Sequence, residues 1–446
     1  MTDLGTAPGK QLTLPLAPPE GEAGVGERRR DAPVCLPKLL ERALERSNMQ
    51  RALRQVRRNQ GAPGVDGMTV ENLPRYLKSH WPTIRGQLLE GSYRPSPVLR
   101  KEIPKPGGGV RELGIPTVLD RLIQQALLQV LQPEWDKTFS RFSFGYRPRR
   151  SAHQAVACAQ QFLREGYAWV VDLDLERFFD RVVHDVLIAR VKKRVRDRRV
   201  LKLIDRYLKS GAMVGVTLEP TEEGVPQGGP LSPLLANLLL DDLDRELERR
   251  GHRFVRYADD LTIFVGSERA GERVLASVSR FLEKRLKLRV NKEKSAVDRP
   301  WRRTLLGFTF VGKQYRRRVS DKALRALRHR VKSLTRRTRG RSLPRIIDEL
   351  RVMLLGWRGY FGFGEVPSPL RDLEKWIRRR LRCYAWKQWG RRGYRELRRR
   401  GVSCDLAWNT SKSAHGPWRL SQSPALGIAL PARYFRNLGL PSLVDA

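Results

Sequence analysis

Two adjacent carboxylates sit at a predicted turn. Tyr257-Ala258-Asp259-Asp260 lies between the apolar runs Phe254–Val255 and Leu261–Val265, which reads as strand, turn and strand. Neighbouring carboxylates at a hairpin tip repel each other and lose water at a cost, so the position calls for a cation. Magnesium suits it, because that ion takes oxygen ligands and keeps positions open for phosphate. A solvated Asp-Asp turn is the ordinary alternative. A second apolar run, Val170–Leu175, carries Asp172 and Asp174 on one face of an extended chain. An acid at one strand end and a pair in a neighbouring hairpin can hold two magnesium ions about 4 Å apart, the arrangement for in-line phosphoryl transfer. On that reading, one of Asp172 and Asp174 is a surface or cap residue.

Charge points the same way. The chain has 446 residues, with 88 Lys and Arg against 47 Asp and Glu, a formal net charge of +41. Such an excess argues against an ordinary small-molecule enzyme and for a polyanion partner. No apolar run reaches the roughly 18 residues a membrane span needs. The four cysteines are scattered with no C-x-x-C pair, which fits a reducing compartment. The N-terminus lacks a signal pattern, so a cytoplasmic location is expected.

The elements that must position these residues follow from period. Gly/Pro/Ala-rich residues 1–34 read as a disordered leader. Helical spacing runs over 36–59, 70–89, 118–131, 151–165, 186–209, 231–249 and 270–286. Residues 100–115 read as a hairpin around Gly107–Gly109, and 169–175 and 305–311 as strands. Residues 311–400 hold 24 Arg and 5 Lys against 7 acids, more than half of the net charge, so a boundary is expected near 312.

Seven motifs in order carry a family resemblance. Asn59-Gln-Gly-Ala-Pro-Gly-Val-Asp-Gly67 and Phe142-Ser-Phe-Gly-Tyr-Arg-Pro-Arg-Arg-Ser151 come first. Asp174-Leu-Glu-Arg-Phe-Phe-Asp180 and Gly224-Val-Pro-Gln-Gly-Gly-Pro-Leu-Ser-Pro-Leu-Leu-Ala-Asn237 follow. Tyr257–Asp260, Leu288-Arg-Val-Asn-Lys-Glu-Lys-Ser295 and Leu305-Leu-Gly-Phe308 complete them. Over roughly residues 35–420 the chain resembles a group II intron-encoded reverse transcriptase/maturase of the short, endonuclease-lacking bacterial kind. Longer relatives end in a Cys/His endonuclease, so this chain is not expected to cut a second DNA strand. One departure is Leu-Glu-Arg at 175–177, where many relatives have Ile-Lys-Gly.

The resemblance implies an α+β right-hand polymerase with fingers, an antiparallel-sheet palm and a helical thumb/maturase domain. The boundaries are leader 1–34, fingers 35–165, palm 166–312, thumb/maturase 313–420 and tail 421–446. Asp174, Asp259 and Asp260 become the catalytic ligands of two Mg2+ ions, with the Leu175 carbonyl a possible fourth. Lys105, Arg111, Phe179, Gln227 and Lys294 are implied dNTP contacts, with Phe179 (or Phe178 beside it) as the gate against a 2′-hydroxyl. Leu306, Gly307 and Phe308 would grip the primer.

Arg378, Arg379, Arg380, Arg382 and Trp386 would bind RNA, since Arg interleaved with aromatic rings offers phosphate contacts and stacking platforms. The implied activity is RNA-directed DNA synthesis, together with binding of intron RNA that promotes splicing and mobility. Partners would be intron RNA, template–primer, target DNA and dNTPs, with no membrane. Two alternatives stand beside it. One is a reverse transcriptase adopted for defence or repair; the other is a splicing RNA-binding protein with an inactive polymerase site.

Overall fold

The computed structural model describes residues 38–104, 110–214, 217–220 and 223–444. The expected leader 1–34, the Gly107–Gly109 hinge and Lys105 lie outside the described residues. The described strands are β1 (Val98–Pro104), β2 (Val110–Ile115), β3 (Trp169–Leu173), β4 (Ala212–Val214) and β5 (Thr217–Glu219). They continue with β6 (Arg253–Tyr257), β7 (Asp260–Val265), β8 (Ala296–Asp298), β9 (Phe308–Val311) and β10 (Arg316–Val319).

The chain packs as two compact units. The first takes Met1–Thr138, His184–Glu222 and Pro226–Leu231; the second takes Phe139–Val183, Glu223–Val225 and Ser232–Ala446. This division is not linear along the chain, so the boundaries at 165 and 312 remain proposals.

In the first unit, β1 pairs antiparallel with β2 and parallel with β4, and β4 pairs antiparallel with β5. Helix Val118–Asp136 starts where the Thr117 side chain caps the Asp120 N–H. Its buried Leu122, Ile123, Ala126, Leu127 and Leu131 make the stripe that the helical period predicts. Asp120 is buried and accepts from Tyr93 Oη at 2.8 Å, Thr117 Oγ1 at 2.7 Å and the Ser96 N–H at 3.2 Å. Burial pushes its carboxyl upward while these bonds pull it down.

Two expected helices are each broken. The 36–59 stretch divides into Leu39–Ala43 and Arg46–Asn59. The 186–209 stretch divides into His184–Arg194 and Arg198–Leu208, because the Asp197 carboxylate accepts the Arg199 N–H at 3.0 Å and starts a new helix there.

In the second unit, β6, β7, β3 and β8 form one antiparallel sheet in that order. Helix Glu268–Phe281 covers the face bearing Val171 and Val297. A Cβ at Gly271 would meet Val297 Cγ1 at 2.5 Å, so glycine is what permits that approach. The antiparallel sheet and the helical C-terminal region match the expected α+β class. The C-terminal region is built on Asp321–Leu334, Leu343–Phe361 and Ser368–Trp389, whose buried faces carry Leu327, Ile346, Leu350, Leu373 and Ile377. Among the described residues no helix is long and apolar enough to cross a membrane.

Tyr93→Phe should lower unfolding free energy by about 1–2 kcal/mol, since it removes one donor from a buried carboxyl. Urea denaturation checks it; an unchanged midpoint would show that the Tyr93–Asp120 bond contributes nothing.

Candidate active site

β3 is a β-branched and apolar strand whose last residue, Leu173, pairs with Leu261 of β7. One step earlier Asp172 pairs with Thr262. Continuing this register sets Asp174 opposite Asp260, so Asp172, Asp174 and Asp260 share one sheet face. Further back that face is apolar, with Val170, Val255 and Phe264 buried. The acids therefore crowd at one end of it.

The hairpin tip is tight. Tyr257 pairs with Asp260 across the two residues Ala258 and Asp259, and Ala258 has φ 60°. That is left-handed backbone, which a side chain adopts only at a cost.

The Leu288–Ser295 motif closes the other side of Asp174. The Asp174 N–H donates to Ser295 Oγ at 3.0 Å, and the Asn291 N–H donates to the Asp174 carbonyl at 2.9 Å. Lys294 Nζ lies 3.6 Å from Asp174 Oδ2. The Leu175 backbone bridges Val290. Arg303 Nη1 lies 3.9 Å from Asp172 Oδ2.

The electrostatics of this end are unfavourable without a cation. Packing pushes the Asp260 carboxyl up to about 6, and the carboxylates of Asp259, Asp172 and Asp174 push it the same way. Burial pushes Asp172 to about 6 as well, with Arg303 opposing and Asp174 adding to the rise. The donors are all oxygen and of like charge, which fits a hard divalent cation. Among the described residues no three His, Cys, Asp or Glu side chains are drawn closely enough to enclose an ion as they stand. Lys294 instead neutralises part of the charge on Asp174.

The other expected site residues fall in several places. Phe178 is buried in the core and Phe179 is half-buried, its ring 5.1 Å from that of Phe178. The Val225 N–H donates to the Phe179 carbonyl at 2.6 Å, so the glycine-rich motif starts against this turn. Gln227 belongs to the first unit, where its carbonyl accepts the Gly114 N–H at 3.0 Å. A Cβ on Gly228 would meet the Gly114 carbonyl oxygen at 2.6 Å. The Arg111 backbone lies in β2, opposite Ile103.

Leu305–Phe308 is not the strand expected from its composition. It is a tight turn, with Leu306 at φ 50° and Gly307 at φ 85°, and β9 begins only at Phe308. Tyr360 Oη donates to the Leu306 carbonyl at 2.8 Å and fixes that turn.

The arginines chosen for RNA contact are engaged within the helical region. Arg378 pairs with Glu374 at 3.3 Å, and Arg379 lies over the Trp418 ring at 3.9 Å. Arg380 Nε donates to Thr335 Oγ1 at 2.9 Å, and Arg382 Nε to the Leu430 carbonyl at 3.0 Å. Trp386 is half-buried, so close to Gly393 that a Cβ there would meet its ring at 2.8 Å. Exposed cations also lie on Asp321–Leu334, including Arg325, Arg328 and Arg330. The signal was present: Leu324, Leu327 and Val331 face inward at helical spacing and leave those arginines outward.

The chain is similar to several known proteins. Residues 103–310 match the family described as Reverse transcriptase (RNA-dependent DNA polymerase), and residues 324–401 match Group II intron, maturase-specific domain. Protein YkfC of Escherichia coli (strain K12) is 32% identical, over 58% of this chain and 77% of that protein. Group II intron-encoded protein LtrA of Lactococcus lactis subsp. cremoris is 36% identical over 41% of this chain, but the match spans only 29% of LtrA. Among solved structures, a chain of a partial Cas6-RT-Cas1–Cas2 complex is 29% identical, with a TM-score of 0.37 over 56% of this chain and 43% of that one.

The crowding has a consequence for stability. A carboxyl whose folded pKa is raised loses stability as pH climbs from its unfolded value through the folded one, here from 3.8 through about 6. In chelator, Asp260→Asn should therefore raise Tm at pH 7.5, with the gain shrinking toward pH 5. A Tm gain independent of pH would show that the effect is not electrostatic.

Proposed function

We propose that this chain, which belongs to the group II intron reverse transcriptase/maturase family, extends a primer on an RNA template and also binds its intron RNA to promote splicing and mobility. The observation that carries the polymerase reading is the gathering of Asp172, Asp174 and Asp260 on one face at the end of the β3–β7 ladder, with Asp259 at the adjoining tip.

Asp174, Asp259 and Asp260, with the Leu175 carbonyl, would hold two Mg2+ ions. Bound there, the ions supply activation of the primer 3′-hydroxyl and neutralisation of charge on the triphosphate. In the reaction, the 3′-oxygen forms a bond to the α-phosphorus as the α–β phosphoanhydride bond breaks. The hydroxyl proton passes to water and pyrophosphate leaves.

The chain's own residues do the placing. Lys294, which lies beside Asp174, would meet the leaving phosphates and give them a proton. Phe179 would crowd a ribose 2′-hydroxyl. Lys105, Arg111 and Gln227 are the proposed triphosphate contacts, and Leu306, Gly307 and Phe308 the proposed primer contacts. Phosphate attraction would come from the arginine-rich region 311–400. The exposed Arg325, Arg328 and Arg330 join Arg378, Arg379, Arg380, Arg382 and Trp386 as candidates for RNA contact.

Primer extension on poly(rA)/oligo(dT) with magnesium tests the reading. Asp174→Ala or Asp259→Ala should lower extension roughly a thousandfold or more. RNA affinity should stay within about twofold, since the binding charge lies elsewhere. Equal loss of both would contradict the split of roles.

Phe179→Ala should raise rNTP incorporation; unchanged sugar selection would remove the gate from that ring. RNA affinity of the wild type should fall by roughly a thousandfold between 50 and 200 mM salt. A flat response would mean that the net charge is not what binds.

A further inference from the structure

Behind the acidic tip, on the covered face of the sheet, lies a charged group in an otherwise apolar strand. Arg256 of β6 is 0% exposed. Its Nε and Nη2 donate to Asp244 Oδ1 and Oδ2 at 2.7 and 2.6 Å, a two-pronged pair inside the protein. Its Nη1 donates to Asn237 Oδ1 at 2.9 Å and to the Ala258 carbonyl at 2.8 Å. Ala258 is the turn residue in left-handed backbone, and its carbonyl belongs to the peptide that enters Asp259.

The clamp has a second jaw. Asn237 Nδ2 donates to the Gly145 carbonyl at 2.9 Å. Gly145 lies so near the turn that a Cβ there would meet the Ala258 nitrogen at 2.2 Å. The segment before it is laced to β6, with the Phe144 N–H donating to the Arg256 carbonyl at 2.8 Å. Asn237 ends the glycine-rich motif read from the sequence, and the proposed chemistry gives it no part.

A buried ion pair is a costly way to gain stability, because apolar residues of similar volume often serve as well. Its geometry here serves a different end. Three donors of one planar group are spent on holding Asp244 and Asn237, and the shared Nη1 reaches the strained turn. A lysine, with a single nitrogen, does not reproduce that fork.

We propose that Arg256, held by Asp244 and Asn237, is a positioning residue. It fixes the Ala258 carbonyl and thereby the bearing of Asp259 and Asp260 toward a divalent cation. This rests on the polymerase reading above. Small errors in such placement are expensive: loss of an outer support typically weakens metal binding by about ten- to a hundredfold.

The test separates positioning from stability. The paired variant Arg256→Met/Asp244→Leu replaces the ion pair with apolar bulk, and Asn237→Ala removes the bridge while leaving the pair. Each is measured with wild type for Tm in chelator, for the rise in Tm on titrating Mg2+, and for primer extension. The paired variant should fold with a modestly lower Tm in chelator, since Met leaves the Ala258 carbonyl and Asn237 Oδ1 without a donor, yet need about tenfold more Mg2+ for the same rise in Tm and extend about tenfold more slowly. Asn237→Ala should shift the Mg2+ requirement in the same direction.

Wild-type Mg2+ response and extension in folded variants would overturn the positioning role alone. A wild type that shows neither response nor extension would overturn the polymerase reading and this proposal with it. If the paired variant fails to fold, Asn237→Ala decides: an unchanged Mg2+ midpoint overturns the proposal.

Discussion

Like charge held at short range governs the second unit. The β3–β7 ladder pairs Asp172 with Thr262, its continuation sets Asp174 opposite Asp260, and Asp259, Asp172 and Asp174 all act on the Asp260 carboxyl. The protein meets this repulsion in three ways. Packing raises the affinity of Asp260 and Asp172 for protons, Lys294 leans on Asp174, and Arg303 leans on Asp172. None of these removes the excess negative field, and that residue of charge is what a divalent ion would meet. The surrounding elements can be understood as the frame that keeps the acids from relaxing apart.

Period was a good guide wherever one face of an element meets the core. The β6–β7 hairpin and helix Val118–Asp136 lie close to where alternation and helical spacing put them. It failed where apolar spacing runs on through a break. Leu187, Ile188 and Val191 keep a helical rhythm before residues 195–197 and Val200, Leu203, Ile204 and Tyr207 resume one after them, yet Asp197 caps a new helix between. Likewise, Leu305–Phe308 has the composition of a strand but bends at Leu306 and Gly307. Short polar or glycine signals outweigh apolar rhythm at such points.

The acids themselves were legible as a pair of clusters, but spacing alone left Asp172 and Asp174 equivalent. Register sets both on the same face, and their neighbours differ: Arg303 for the first, Lys294 for the second. Arginines were the harder reading. Composition reports how many there are, not which carbonyls they satisfy. Arg380 and Arg382 are partly buried against Thr335 and Leu430, tying helices together, whereas Arg325 and Arg328 face outward from a helix whose apolar stripe was plain to see. Arg256 sits in the apolar Phe254–Tyr257 run with nothing around it in sequence to mark Asp244 and Asn237 as its partners.

The way the two units share the chain bears on how this protein is made. The first unit receives strands β4 and β5 from residues that come after β3, and a short piece at 226–231 later still. During synthesis its N-terminal helices must therefore wait, unfinished, while the leading strand of the other unit leaves the ribosome. No single cut in the gene separates the units into two self-sufficient halves, and a fragment ending near residue 140 would expose the sheet edge that β4 normally covers.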